Sequence, residues 1–388
     1  MTATGPATAP AVAPAGTEAV LDARRIVAQH GKNRVVDGVD LRIGRGEFVT
    51  LLGPSGCGKT TTLRCVAGLH RVTDGSITLG GRVVADRRTH VRPERRSVNM
   101  VFQSYALWPH MTVYQNVAYG LRAQRLPKEE ITERTNEMLE TVGLGGYGSR
   151  SATSLSGGQQ QRVVLARGLV TQSKLLLLDE PLSNLDTELR VRMRTEIHAL
   201  QRRLGLTMLY VTHDRTEALA LSDRVIVMRN GTAQQAGSPA ELYAAPRNRF
   251  VAEALGPVNV LPAEIVERGA DTAAVLTSAD NRPVLRVAPP TDGRDVAVGQ
   301  RIDILVRPEA LTLGAATDDN GSGGIDATVE LVEFLGNRTE VTCRSAEVSF
   351  IVEIPRAART LRPGDKVVAR LHEGKDDAPP AWQQHRSD

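Results

Sequence analysis

The segment Gly53-Pro54-Ser55-Gly56-Cys57-Gly58-Lys59-Thr60 fits the pattern G-x-x-x-x-G-K-[ST] and limits, more than any other stretch, what the chain can fold into. The glycines let backbone N–H groups turn inward around an anion. Lys59 reaches terminal phosphates, and the Thr60 hydroxyl is of the kind that ligates Mg²⁺. A helix starting at the end of the loop points its positive dipole end at the same phosphates. Both flanks have the required character: Glu47–Leu52 reads as a strand running into Gly53, and a helical pattern continues through Thr61. A chance glycine-rich turn would not supply both flanks. The loop, residues 53–60 with Thr61, predicts binding and hydrolysis of MgATP.

Such a loop implies a parallel sheet with helices on both faces, and the chain carries that pattern from residue 53 to 245, where apolar strand-like runs alternate with helical ones. Leu175–Leu178 is a continuous apolar run, as expected of a strand covered on both faces. Leu189, Met193, Ile197, Leu200 and Leu204 recur at steps of three and four, which predicts a helix over Thr187–Leu204 ended by Gly205. Thr207–Val211 and Asp223–Arg229 read as further strands, the second entering a turn at Asn230-Gly231. After about residue 245 the character changes. Short alternating runs such as Ile302-Ile304-Val306 and Val348-Phe350-Val352 are split by turns, including Asp318-Asp319-Asn320-Gly321, and predict a small all-β barrel. The expected organisation is a disordered tail over 1–19, an ATPase domain over 20–245, a β-barrel domain over 246–373 and a polar, disordered end over 374–388.

Composition bounds the remaining choices. With 48 Lys and Arg against 44 Asp and Glu, the net charge of +4 is too small to mark a nucleic-acid surface. There is no apolar run of about 18 residues, so no helix is expected to span a bilayer. The Ala/Pro/Thr-rich start lacks both a basic and an apolar region and does not read as a signal peptide. Cys57, Cys65 and Cys343 have neither metal-ligand spacing nor a disulfide framework.

Two further clusters carry chemistry. Asp179 closes the apolar strand, where a phosphate-loop protein keeps the acid that holds Mg²⁺, and Glu180 follows at the strand's exposed end, placed to act as general base toward a water. In isolation a solvated acid would explain Glu180; beside Asp179 and with the loop upstream, catalysis does so better. Leu155-Ser156-Gly157-Gly158-Gln159-Gln160-Gln161-Arg162 opens a helix ending near Val170. Ser156 suits its N-cap, and the paired glycines bare N–H groups for a second anion.

With these pieces in order, the chain resembles the ATP-binding subunits of ABC transporters. Phe102-Gln103, Ser183-Asn184-Leu185-Asp186 and Thr212-His213-Asp214 stand where that family has them, and the likeness covers about residues 20–245. The remainder is similar to the small OB-type regulatory domain of the importer subgroup, through Leu255-Gly256-Pro257-Val258-Asn259 and Val306-Arg307-Pro308-Glu309. The resemblance implies a mostly parallel sheet with an antiparallel β subdomain and a helical subdomain. It also implies roles. Gln103 would touch Mg²⁺ and the attacking water, Thr60 and Asp179 would hold Mg²⁺, and Glu180 would be the general base. His213 would contact the γ-phosphate. Ser156, Gly157, Gly158 and Gln159 would bind the γ-phosphate held by a second copy, giving a head-to-tail homodimer with ATP between the chains and Asp186 at the interface. The segment Tyr105-Ala106-Leu107-Trp108-Pro109-His110-Met111 would dock two membrane permease subunits at the cytoplasmic face of the membrane, and a solute-binding protein would complete the complex.

The chain departs from the usual pattern in places. His30 stands where the subgroup often carries a Tyr or Phe that stacks on adenine, so weaker or more pH-sensitive stacking is expected. Gln160 and Gly168 are uncommon around the signature helix, and Gly168 lowers its stability by about 1 kcal/mol relative to Ala. Cys57 lies inside the loop, where the helix dipole and Lys59 are expected to lower its pKa and alkylation to block ATP binding. Ferric iron is the preferred cargo on the resemblance of the Trp108 segment, with polyamine, sulfate or sugar as alternatives. A soluble ATPase acting on nucleic acid or ribosomes is disfavoured, because aromatics after residue 249 are few: Phe250, Phe334, Phe350 and Trp382.

Overall fold

The computed structural model describes residues 18–103, 107–267, 272–277, 279–287, 297–315, 324–355, 361–372 and 381–384. The expected tail up to residue 17, Tyr105 and Ala106 of the expected docking segment, the expected turn at 318–321 and most of the polar end lie outside the described residues. The chain divides into two compact units, up to Pro239 and from Ala240.

In the first unit, β1 (Ala19–His30), β2 (Asn33–Gly44), β4 (Asp74–Leu79) and β5 (Arg82–Ala85) form an antiparallel sheet in the order β2-β1-β4-β5. Between them the chain contributes β3 (Phe48–Leu52) and helix α1 (Lys59–Ala67) to a second layer. That layer is a six-stranded sheet completed by β6 (Val98–Val101), β7 (Leu175–Asp179), β8 (Met208–Thr212), β9 (Arg224–Arg229) and β10 (Thr232–Gly237). Its order is β10-β9-β3-β8-β7-β6, parallel except for β10 at the edge. The expected strands are present, shifted by one residue at most ends.

Burial on both faces explains the apolar runs. Every residue of β3, β7 and β8 is buried. Alternate side chains sort into two cores, with Val49, Leu51, Leu175, Leu177, Leu209 and Val211 on one face and Phe48, Leu176, Leu178, Met208 and Tyr210 on the other. A separate cluster joins α2 (Val113–Ala123), α3 (Lys128–Thr141) and α4 (Gly157–Leu169) through Val117, Leu121, Leu139 and Val163, forming the helical subdomain. The helix after β7, α5 (Thr187–Leu204), has the predicted ends: Asp186 Oδ1 accepts from Leu189 N at 2.9 Å, and Gly205 takes φ 59° beyond the last turn. A short helix, α6 (Arg215–Leu221), follows β8.

The second unit starts along α7 (Pro239–Ala244) and α8 (Arg249–Leu255) and is otherwise β-structure. Strands β11 (Asn259–Glu267), β12 (Thr272–Leu276), β13 (Val284–Val287) and β14 (Arg301–Val306) form one antiparallel sheet. Strands β15 (Leu311–Ala315), β16 (Ile325–Phe334), β17 (Arg338–Ser345), β18 (Val348–Pro355) and β19 (Lys366–Leu371) form the other. Both feed one core around Ile304, Val341, Phe350 and Val352, an OB-like arrangement. One strand had no sequence signal: β20 (Ala381–Gln384), within the end expected to be disordered, pairs with the free edge of β14. Backbone pairing at an open edge requires no alternating pattern. The two sequence stretches singled out in this unit are structural. Arg307 donates to the carbonyls of Ala252, Gly256 and Pro257, and Asn259 exchanges two hydrogen bonds with the Ile351 backbone.

A buried guanidinium fixes the end of α1. Arg96 Nη1 donates to the carbonyls of Cys65 and Val66 at 2.7 and 2.8 Å, its Nε donates to Val91 O at 2.9 Å, and Nη2 donates to Val84 O at 3.3 Å. The helix's last carbonyls thus find their donor in a side chain supplied from beyond β5. Replacement Arg96→Leu is expected to lower unfolding free energy by about 3 kcal/mol, because several buried carbonyls lose their donor. Urea titration followed by circular dichroism checks it; an unchanged midpoint contradicts the role.

Candidate nucleotide site

The loop between β3 and α1 is shaped by its neighbours. A Cβ on Gly53 would lie 2.3 Å from the Met228 carbonyl oxygen. Gly58 takes φ 103°, and a Cβ there would lie 2.5 Å from Val35 O. Backbone from β9 and β2 therefore presses on the loop where the pattern demands glycine. Pro54, Ser55 and Gly56 form its exposed rim. Lys59 is 4% exposed, and its ammonium donates to Gly53 O at 2.7 Å and Pro54 O at 2.9 Å. The cation is held in the concavity of the loop, where terminal phosphates would replace these carbonyl contacts.

Sheet pairing places the acids beside it. β3 pairs with β8, and β8 pairs with β7, so Leu52 lies across from Thr212 and Asp179 across from Val211. Thr60 Oγ1 donates to Asp179 Oδ1 at 2.8 Å, joining loop and strand end. Asp179 is 4% exposed, and burial pushes its pKa up against the lowering effect of the Thr60 hydrogen bond. A buried carboxylate and a hydroxyl, both hard oxygen donors, next to a phosphate-binding lysine fit Mg²⁺ bound together with phosphate oxygens.

Glu180 adopts φ 45°, a left-handed conformation uncommon for a residue with a side chain, while its N–H still donates to Val211 O at 3.0 Å. This turn directs its carboxylate toward β8's end, where His213 Nδ1 lies 3.1 Å from Glu180 Oε2. A carboxylate only accepts, so Nδ1 carries the proton and Nε2 faces away from Glu180. Backbone strain of about 1–3 kcal/mol at such a position is sustained only where surroundings fix it.

Other expected residues make their described contacts elsewhere. Ser156 caps α4, exchanging hydrogen bonds with Gln159 in a capping box, and Leu189 covers Gly157 and Gly158, leaving 2.8 Å to a Cβ on Gly158. Within one chain no described contact joins Ser156–Gln159 to the phosphate loop. Gln103 is exposed, and its carbonyl accepts from Asn184 Nδ2 at 3.0 Å. His30 ends β1 with its ring 4.7 Å from that of His70 at 52°. In the segment expected to dock the permeases, Trp108 meets the Tyr119 ring at 4.3 Å and the Arg167 guanidinium at 4.6 Å. The pKa expectation for Cys57 is overturned. The thiol is 3% exposed, and burial pushes its pKa up more than Lys59 lowers it.

Sequence reasoning missed Asn184's hold on Gln103, the His70 ring and Glu217. The available signal for Glu217 was Asp214-x-x-Glu217 before an apolar run, a helix-start signature. Asp214 does cap α6, but the Glu217 side chain turns into the protein instead of back to the cap.

Phosphate loop, paired acids and histidine on a parallel sheet define a nucleotide-hydrolysing subunit of the ABC class. Residues 36–183 match the ABC transporter family, and residues 304–375 match the TOBE domain. The spermidine/putrescine import ATP-binding protein PotA of Rubrobacter xylanophilus is 44% identical over 355 residues, 91% of each chain. The Fe(3+) ions import ATP-binding protein FbpC 1 of Rhizobium meliloti is 44% identical over 350 residues, 90% of this chain and 95% of that one. The solved structure of cbiO1 from Clostridium perfringens, part of the ABC transporter complex cbiONQ, aligns with a TM-score of 0.54. It is 28% identical and covers 61% of this chain and 94% of its own. The chain belongs to the import ATP-binding subunits of ABC transporters; it binds ATP and is an ATPase.

Burial of Cys57 generates a measurable expectation. Iodoacetamide labelling of Cys57 is expected to be slow at neutral pH and to accelerate only above the ordinary thiol range, since a raised pKa withholds the thiolate. Mass spectrometry of labelled peptides across pH checks this. Fast labelling at pH 7 in the folded chain contradicts it.

Proposed function

We propose that this chain is the motor of an importer for a cationic solute, a polyamine or ferric iron, working as a head-to-tail homodimer with MgATP between the copies. The observation that carries the reading is the double pairing at the end of β7, with Asp179 on Thr60 and Glu180 on His213. Consecutive residues of one strand thus address the metal side and the water side of a γ-phosphate.

In this reading Gly53–Thr61 cradle the phosphates and Lys59 moves from the loop carbonyls to the β- and γ-phosphates. Thr60, Asp179 and Gln103 would hold Mg²⁺, which would supply charge neutralisation to the phosphates when bound. Glu180 accepts the proton of the attacking water, and His213, with a proton on each ring nitrogen, donates through Nε2–H to the γ-phosphate while Nδ1–H stays on Glu180. His30, backed by His70, forms the adenine contact. Ser156, Gly157, Gly158 and Gln159 approach the partner copy's γ-phosphate, at a helix start whose dipole and glycine N–H groups suit an anion. Asp186 lies at the same interface.

Two permease subunits dock near Tyr105–Met111, with Leu107–Met111 supported on Asn116, whose Oδ1 accepts from Trp108 N at 3.0 Å. Among the described residues no helix is long and apolar enough to cross a membrane. In this reading the chain works as a peripheral subunit at the cytoplasmic face, as an import ATP-binding subunit, with permeases and a solute-binding protein supplied by other chains. The ATPase domain is taken as residues 20–245 and the regulatory β-domain as 246–373. Both Fe(3+) and spermidine/putrescine relatives share 44% identity, so identity does not separate the cargoes, but each cargo is a cation.

Replacement Glu180→Gln is expected to lower kcat by about 100-fold or more while MgATP binding persists, trapping the ATP-bound pair. Radiolabelled ATP hydrolysis and size-exclusion chromatography read both. Affinity capture of this variant with MgATP from detergent-solubilised cells, followed by mass spectrometry, then tests the partners. A multi-span permease with a polyamine- or iron-binding protein supports the importer; ribosomal proteins or nucleic acid without a membrane protein overturn it.

A further inference from the structure

His213 is a side chain that packing does not hold, being 54% exposed. Among the described residues its one side-chain hydrogen bond is with Glu180, and its aim therefore rests on the backbone on either side. Behind that backbone lies a carboxylate with no part in the reading above. Glu217 is 3% exposed; its Oε2 accepts from Tyr210 Oη at 2.9 Å and from Thr212 Oγ1 at 2.7 Å. Thr212 Oγ1 in turn accepts from Asp214 N at 2.9 Å. Both neighbours of His213 thus hang on one carboxylate–hydroxyl pair.

With Glu217 ionised, the proton direction along these hydrogen bonds is forced. An ionised carboxylate only accepts, so the Thr212 hydroxyl must give its single proton to Glu217. Its lone pair is then left for the Asp214 amide. The linkage closes on itself, because Asp214 Oδ1 accepts from Thr216 N at 2.7 Å and Glu217 N at 3.2 Å, capping the helix that carries Glu217. Asp214 Oδ2 also meets Arg190 Nη1 at 3.5 Å, and Arg190 Nη2 donates to Leu185 O at 3.2 Å, beside Asp186. Burial pushes the Glu217 pKa up while the two hydroxyls pull it down.

We propose that Glu217, acting through the Thr212 hydroxyl, is a positioning residue that holds His213 in register with Glu180 and the γ-phosphate. A buried acid satisfied only for stability would need its two donors; it would not need one of them to be the acceptor for the residue after the histidine. The proposal rests on the role given to His213 above.

The test is steady-state MgATP hydrolysis by the full chain. Thr212→Val, which keeps the shape and deletes the hydroxyl, is expected to lower kcat about 10-fold or more with KM for ATP unchanged. Thr212→Ser is expected to restore it, and in a His213→Ala background Thr212→Val is expected to subtract nothing further. Where Thr212→Val does not fold, Glu217→Gln gives the same comparison. Full turnover in Thr212→Val, a rise in KM at constant kcat, or an equal further loss in His213→Ala overturns the positioning role and leaves that of His213 intact. Full turnover in His213→Ala itself overturns both.

Discussion

Parallel pairing of β3, β8 and β7, each buried on both faces, sets the ends of the three strands side by side. The phosphate loop leaves the first, His213 follows the second, and Asp179 and Glu180 end the third. Because both faces are covered by helices or by the antiparallel sheet, polar groups find solvent only at the strand ends, and chemistry collects there. The Thr60–Asp179 and Glu180–His213 contacts are consequences of that register. A one-residue slip of β7 would turn Asp179 to the opposite face and dismantle both.

A second layer of polar contacts gives this edge its rigidity. Arg96 closes α1 from below, Glu217 ties together the residues flanking His213, and Asn184 holds the Gln103 carbonyl. Arg96 and Asn184 donate to backbone carbonyls that secondary structure leaves unpaired, whereas Glu217 reaches the backbone through the Thr212 hydroxyl, which accepts from Asp214 N. Glu180 shows the opposite economy: its left-handed backbone is tolerated because the Val211 carbonyl and the Ser183 turn fix it on both sides.

Loop, sheet strands and α5 were legible because each carries a local pattern: Gly53–Thr60 by its glycines, Leu175–Leu178 by continuous apolarity, and Thr187–Leu204 by its period and its caps. Asp179 and Glu180 were readable as a pair from their place at a strand end. The Cys57 pKa was read wrongly, because the dipole and Lys59 are visible in sequence while burial is not, and burial is the larger effect. β20 was hidden since edge pairing depends on a free partner strand distant in sequence.

The sequence by itself determined the family, the phosphate loop and the list of candidate acids and bases, for these depend on residue type and short-range spacing. Tertiary structure alone decided which of them meet. Glu180 reaches His213, Glu217 reaches Thr212 and Tyr210, and Ser156 and Gln159 close on each other. Hydrogen bonds extend only about 3 Å. Over so short a range, strand register and burial select partners that sequence separation cannot reveal.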